Sequence, residues 1–128
     1  MVIDTSALIA ILNGEPEAHD FLQRIVLDPR PCISAATLIE VHLVFTGRPE
    51  IRQQLAELIV EAGIETVVVD EKIAGLARMA SDRYGKGTRA KLNFGDLFSY
   101  ATAKALPAQL LFKGDDFVYT DVEIATRS

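Results

Sequence analysis

The chain begins Met1-Val2-Ile3-Asp4-Thr5-Ser6-Ala7-Leu8-Ile9-Ala10-Ile11-Leu12, and the reading of this stretch decides the fold. Three apolar residues run into an acid and two hydroxyls, after which apolar residues return at helical spacing. The pattern predicts a buried strand feeding a helix, with Asp4 at the joint. In open parallel sheets, ligands collect just beyond the carboxyl ends of the strands, where helix N-termini and strand-end side chains converge. Asp4 is therefore a candidate wall of an active site. It is equally a candidate N-cap for the helix that follows, a role worth about 1 kcal/mol.

The same alternation continues outward. Thr5 to Asn13 reads as a helix stopped by Asn13-Gly14. Glu15-Pro16-Glu17 then restarts a helix whose apolar face is Phe21, Leu22, Ile25 and Val26. Asp28-Pro29-Arg30-Pro31 breaks the chain before a short strand, Cys32-Ile33-Ser34, and an apolar helix from Ala35 to Phe45. Beyond Thr46-Gly47-Arg48-Pro49 the periodicity predicts a helix over Glu50 to Ala62, a β-branched strand over Ile64 to Val69 and a helix over Glu71 to Tyr84. Gly85 to Lys91 reads as a basic loop, Gly95-Asp96 opens a helix to about Leu106, and Gln109 to Phe112 is a strand. Phe117 to Ser128 is ambiguous, with a turn and a last short strand as its reading. Short apolar runs alternating with helices predict crossover connections, hence a mostly parallel sheet covered on both faces. The expectation is one α/β domain over residues 1–128, without repeats or linkers.

Composition narrows the chemistry. Cys32 is the lone cysteine, and His19 and His42 are the only histidines, so neither a disulfide nor a zinc cage built on thiolate and imidazole is expected. No apolar run approaches the ~20 residues that span a bilayer, and the start lacks a basic region ahead of a cleavable apolar segment. A soluble, unexported, cytoplasmic protein without a membrane partner is expected. The net charge of -5 is uneven: residues 1–64 carry four basic and nine acidic side chains, residues 65–128 nine of each. Arg83, Lys86, Arg89 and Lys91 fall together with no acid between them. Such a strip can contact phosphates on an acidic protein because salt confines each charge to about 10 Å, and it can also be a solvated loop.

Four acids stand out. Asp4 ends the first strand. Between Ala35 and Phe45 the only polar side chains are Thr37, Glu40 and His42, so Glu40 needs a partner, a proton, a cation or a path to water. Asp96, in Leu92-Asn93-Phe94-Gly95-Asp96, is a helix cap or a site acid, and Asp116 a turn residue or a site acid. Thr5 and Ser6 either cap the first helix or hold the Asp4 carboxylate and its ligands. A doubly wound sheet brings such positions together. Clustered carboxylates without imidazole or thiolate select Mg²⁺ or Mn²⁺, ions that generate hydroxide from water and steady the leaving oxygen of a phosphodiester.

With these residues in place the chain resembles the PIN-domain ribonucleases, and within them the VapC-type toxins of toxin-antitoxin pairs. The resemblance rests on Met-Val-Ile-Asp4-Thr-Ser6-Ala-Leu, Ser-Ala-Ala-Thr-Leu-Ile-Glu40-Val, Leu-Asn93-Phe-Gly95-Asp96 and Leu-Phe-Lys-Gly114-Asp115-Asp116-Phe117, in order over essentially the whole length. It implies a five-stranded, mostly parallel sheet of order 3-2-1-4-5 and Mg²⁺-dependent cleavage of RNA, with Mn²⁺ as a substitute. Asp4, Glu40 and Asp96 carry over as metal-site acids, with Asp116 as the fourth and its neighbour Asp115 as the competing choice. Ser6 is then a contact to the metal or its water, and Asn93 a support for the Asp96 loop. The resemblance also implies a homodimer and a VapB-like antitoxin whose tail fills the cleft. The helices Thr5 to Asn13 and Glu50 to Ala62 offer surfaces for these contacts, although core packing explains their apolar stripes as well. For RNA, the strip Arg83, Lys86, Arg89 and Lys91 is the expected phosphate contact, with Lys104 and Lys113 as additions.

Rival readings fit less of the sequence. A receiver-like phosphorylation domain would use Asp70 and Lys113 at two strand ends but leaves Glu40 and Asp96 idle. A haloacid-dehalogenase-type phosphatase wants an acid two positions after Asp4, where Ser6 stands. A binding module that kept the fold and lost catalysis is a third class, and the presence of all four acids weighs against it.

Overall fold

The computed structural model describes residues 1–125. Its elements alternate as expected: β1 (Val2–Ile3), α1 (Thr5–Leu12), α2 (Ala18–Leu27), β2 (Cys32–Ser34), α3 (Ala35–Val44), α4 (Pro49–Glu61), β3 (Glu65–Val67), α5 (Glu71–Tyr84), α6 (Phe94–Ala105) and β4 (Leu110–Leu111). The strands pair in parallel in the order β3-β2-β1-β4, with Val2 opposite both Cys32 and Leu110. The expected fifth position beyond β4 holds a single parallel bridge, Leu110 to Ile124, in place of a full strand. Leu110 donates to the Glu123 carbonyl and accepts from the Ala125 amide, and β4 is only two residues long. The last three residues of the ambiguous Phe117 to Ser128 stretch lie outside the described residues.

Successive strand residues point to opposite faces, and this pleat divides the core in two. Ile3, Ile33 and Leu111 face a cluster with Leu8, Ile25, Val41 and Leu55, from α1, α2, α3 and α4. Val2, Cys32 and Leu110 face the other cluster, with Ala80 of α5 and Tyr100 and Ala103 of α6. Val2, Ile3, Ile33 and Leu110 are completely buried, each worth roughly 1.5–3 kcal/mol relative to exposure. The stripes of α1 and α4 are core: Ala7, Leu8 and Ala10 are fully buried, as are nearly all of Ile51 and Leu55. Core packing thus accounts for these positions, while Val60 on α4 stays exposed.

Strand ends double as helix caps. Asp4, Ser34 and Asp70, all in extended backbone, accept from the amides of Ser6, Ala36 and Ile73 and start α1, α3 and α5. Asp70 thus has a structural task. Three strand spacings, about 14 Å, separate β3 from β4, and Lys113 pairs with Glu15 and Glu17, so the phosphorylation reading has no geometry.

One helix expectation needs correction. Val26 is not on the buried face of α2 but 62 % exposed. α3, apolar along its length in the sequence, buries one side only: Thr37 and Val41 face inward, while Ile39, Leu43 and Val44 lie in solvent. No helix among the described residues is long and apolar enough to cross a membrane.

Candidate active site

β1 ends by delivering Asp4 to the point where α1, α3 and α6 meet. Asp4 is 5 % exposed, and both of its carboxylate oxygens accept hydrogen bonds. Its Oδ2 accepts from the Ser6 amide at 3.1 Å and the Ser6 hydroxyl at 2.7 Å, and its Oδ1 accepts from the Ser99 hydroxyl at 2.6 Å. Cap and site acid are therefore one residue. Ser6 in turn accepts from the Lys113 backbone amide at 2.9 Å, joining the start of α1 to the segment after β4. Lys113 itself is held by Glu15 and Glu17, and Lys104 by Asp121 at 3.3 Å, so neither is a free phosphate contact.

Asp96 enters at the first turn of α6. Asn93 is the N-cap: its side chain accepts from the Asp96 amide, and the Asp96 carboxylate accepts from the Asn93 amide, each at 2.9 Å. This capping box locks the acid one turn inside the helix. Desolvation pushes the Asp96 carboxyl up to about 6, against the pull of the Asn93 amide, and the charges of Asp4, Asp116 and Glu40 push in the same direction. Asp96 thus feels the charges of the other three acids, Asp116 among them.

Glu40 reaches the same point from the second turn of α3. It accepts a hydrogen bond from the Thr5 hydroxyl and lies half-buried against the backbone of Gly95. A Cβ at Gly95 would stand 2.7 Å from both Cδ and Oε1 of Glu40, so the missing side chain is what admits the carboxylate.

Sequence reasoning missed Ser99 and Thr37. Ser99 is completely buried and Thr37 nearly so; their hydroxyls are 3.4 Å apart, linking α6 to α3 behind the acids. The only signal was register: Ser99 follows Asp96 by three and Thr37 precedes Glu40 by three, which places each on the acid's own helix face.

The donor set is all oxygen, and among the described residues none of Asp4, Glu40, Asp96 and Asp116 has a cationic partner. No three Asp, Glu, His or Cys side chains among the described residues are arranged to grip one ion unaided. Mg²⁺ is commonly held through one or two carboxylates with water completing its octahedron. The acids fit such a hydrated ion, and not a closed cage.

An apolar groove of about 360 Å³ runs from Glu40 between α3 and α6, walled by Ile39, Leu43, Phe94 and Phe98. A separate hollow of about 260 Å³, lined by Met1, Arg30, Cys32 and Glu65, lies at the amino ends of the strands, away from the acids. In the basic strip, Arg83 lies over Tyr84, Arg89 over Tyr119, and Lys86 and Lys91 are exposed.

Fold and acid site together define a nuclease-like α/β protein, and comparison with known proteins is specific. The PIN domain family model matches residues 1–123. A "Ribonuclease VapC" of Mycolicibacterium smegmatis is 46 % identical over 126 residues, 95 % of this chain and 97 % of the relative. "Ribonuclease VapC30" of Mycobacterium tuberculosis is 44 % identical over 95 % of each. Among solved structures, a toxin-antitoxin complex from Klebsiella pneumoniae contains a chain of the same fold, with a TM-score of 0.76 at 22 % identity over 97 % of this chain and 95 % of that one. The chain belongs to the PIN domain family, among the VapC ribonucleases.

Proposed function

We infer that the whole chain is one nuclease domain that cuts RNA with a divalent metal, Mg²⁺ or Mn²⁺ in its place, as the toxin of a toxin-antitoxin pair. The observation that supports the reading is that the charges of Asp4, Asp116 and Glu40 all act on Asp96, with no cation paired to any of the four among the described residues. Asp4 and Asp96 would hold the ion, with Glu40 and Asp116 completing the acid set. When bound, such an ion lowers the pKa of its water and stabilises charge on a phosphodiester. The chain's own residues do the rest. Ser6 and Ser99 fix the Asp4 oxygens, Asn93 orients Asp96, Thr5 and Gly95 place Glu40, and the acids are left to accept the proton of an attacking water.

The partners follow from the surface. Arg83, Lys86, Arg89 and Lys91 suit an RNA backbone. The apolar groove that ends at Glu40 suits the tail of a VapB-like antitoxin bearing apolar side chains and one cation. The exposed apolar residues of α3 leave room for a homodimer, and a cytoplasmic location fits the chemistry.

Purified chain free of any partner is expected to cut structured RNA with Mg²⁺ or Mn²⁺ and to stop in EDTA. Asp4→Asn and Asp96→Asn are expected to abolish cutting. Variants that cut as well as the parent would overturn the site, and a folded parent that cuts no RNA in either metal would favour a module that only binds.

A further inference from the structure

Tyr119 is an aromatic side chain that the core leaves outside. Tyr84 and Tyr100 stack with centroids 5.6 Å apart, and Phe112 and Phe117 close at 5.0 Å, all within the second core cluster or packed against it. Tyr119 belongs to neither cluster, stays 48 % exposed, and its hydroxyl has no hydrogen-bond partner among the described residues. Its ring is nevertheless covered on one face, because the guanidinium carbon of Arg89 stands 4.0 Å from the ring centroid. That is a close cation–π stack.

The two partners come from places that matter. Arg89 lies in the acid-free basic stretch of residues 83–91, and Tyr119 lies three residues beyond Asp116, at most about 11 Å away along the chain. The stack therefore ties the basic loop to the segment that carries the fourth acid. Phe94, the other strongly exposed aromatic, pairs edge to face with Phe98 at 4.9 Å along the apolar groove and, among the described residues, carries no cation over its ring. At Tyr119 an open ring and a fixed cation coincide.

We propose that Tyr119 and Arg89 form a shelf for an unpaired nucleobase next to the phosphodiester cut at the acids, a proposal that rests on the nuclease reading. A base inside a duplex offers only its edges, whereas a single-stranded or looped-out base stacks on an aromatic plane. The open part of the Tyr119 ring receives the base, and the Arg89 guanidinium, over the ring, donates to the adjoining phosphate. The shelf makes the nuclease favour unpaired over paired RNA.

The test uses the full chain in EDTA, titrated with a single-stranded RNA carrying a fluorescent purine analogue and with the same strand annealed to its complement. The single strand is expected to bind more tightly and to lose fluorescence on stacking. Tyr119→Phe is expected to behave like the parent. Tyr119→Leu is expected to bind about tenfold more weakly, without quenching and with an unchanged salt slope, because no charge is lost. Arg89→Gln is expected to weaken binding and flatten that slope. Equal affinity and quenching in the parent and Tyr119→Leu, or a preference for the duplex, overturns the shelf. So does a Tyr119→Leu defect confined to a protein partner. The assay contains no cleavage step, so a chain that cuts no RNA in any metal overturns the nuclease reading and leaves the stacking result to be judged by itself.

Discussion

Gly95 lies flat against the carboxyl group of Glu40, so closely that any Cβ would fall 2.7 Å from Cδ and Oε1 and nearer still to Oε2. The clash in Gly95→Ala falls on the far end of a flexible side chain, which can swing away. The fold is therefore expected to survive with a melting temperature within a few degrees of the parent, while Glu40 leaves the site. Misplacement by about 1 Å can cost about 10²-fold in rate, and a loss of that order in RNA cleavage is expected. Parental activity in a folded Gly95→Ala chain would show that Glu40 has no need of this position.

Ser99 gives a second handle, because it donates to Asp4 Oδ1 from a completely buried position. Ser99→Ala removes a hydrogen bond to a charged group, and a stability loss of about 2 kcal/mol is expected from chemical denaturation. Loss of such a support commonly costs 10–100-fold in metal affinity, roughly, so calorimetric Mg²⁺ titration of the variant is expected to show weaker binding. Unchanged affinity would limit Ser99 to packing.

These two residues also mark where the sequence was legible. Asp4, Asn93 and Asp96 stand at element boundaries, where capping chemistry and hydrophobic period fix their places; the alternation of strands and helices implied a parallel sheet, and its order came from the family resemblance. Ser99 and Thr37 sit inside helices, where a small hydroxyl residue looks the same whether it faces water or an acid. α3 was ambiguous for a related reason. An apolar run carries no sign of whether its outer face is covered, and Ile39 and Leu43 turn out to be 61 % and 62 % exposed. Among the described residues the fifth strand position holds one bridge, to a β4 of two residues.

Of the adjacent acids, the sequence reading takes Asp116 as the fourth, with Asp115 as the competing choice. Gly114, at φ +101°, turns the chain ahead of them, and the charge of Asp116 acts on Asp96. Asp116→Asn is expected to reduce cleavage at least tenfold more than Asp115→Asn, measured at saturating Mg²⁺. The reverse order would exchange their roles.

Salt dependence tests the basic loop apart from the aromatic shelf. Lys91 is held at φ +54° with its amide bonded to the Thr88 hydroxyl, a backbone state few non-glycine residues adopt, and it lies two residues before the Asn93 cap. If Arg83, Lys86 and Lys91 each meet a phosphate, replacing all three by Ala is expected to flatten the plot of log affinity against log salt by about 2 for single-stranded RNA. An unchanged slope would return these side chains to the solvent.

Asp96 makes the stability of the metal-free protein depend on pH in a direction that can be worked out. Its carboxyl titrates near 6 in the folded chain, above the ordinary value of 3.8, so between those values the folded state holds a proton the unfolded state has released. Stability from this group is thus complete below about pH 4 and falls as pH rises toward 6, by up to about 3 kcal/mol for a displacement of this size. Asp96→Asn has no such proton to lose. In EDTA, the melting temperature of the variant minus that of the parent is expected to grow between pH 4 and 6 and then level off. Saturating Mg²⁺ favours the ionised carboxylate and is expected to shrink the difference at pH 7. A difference that stays flat across this range would mean that the folded environment leaves Asp96 an ordinary acid.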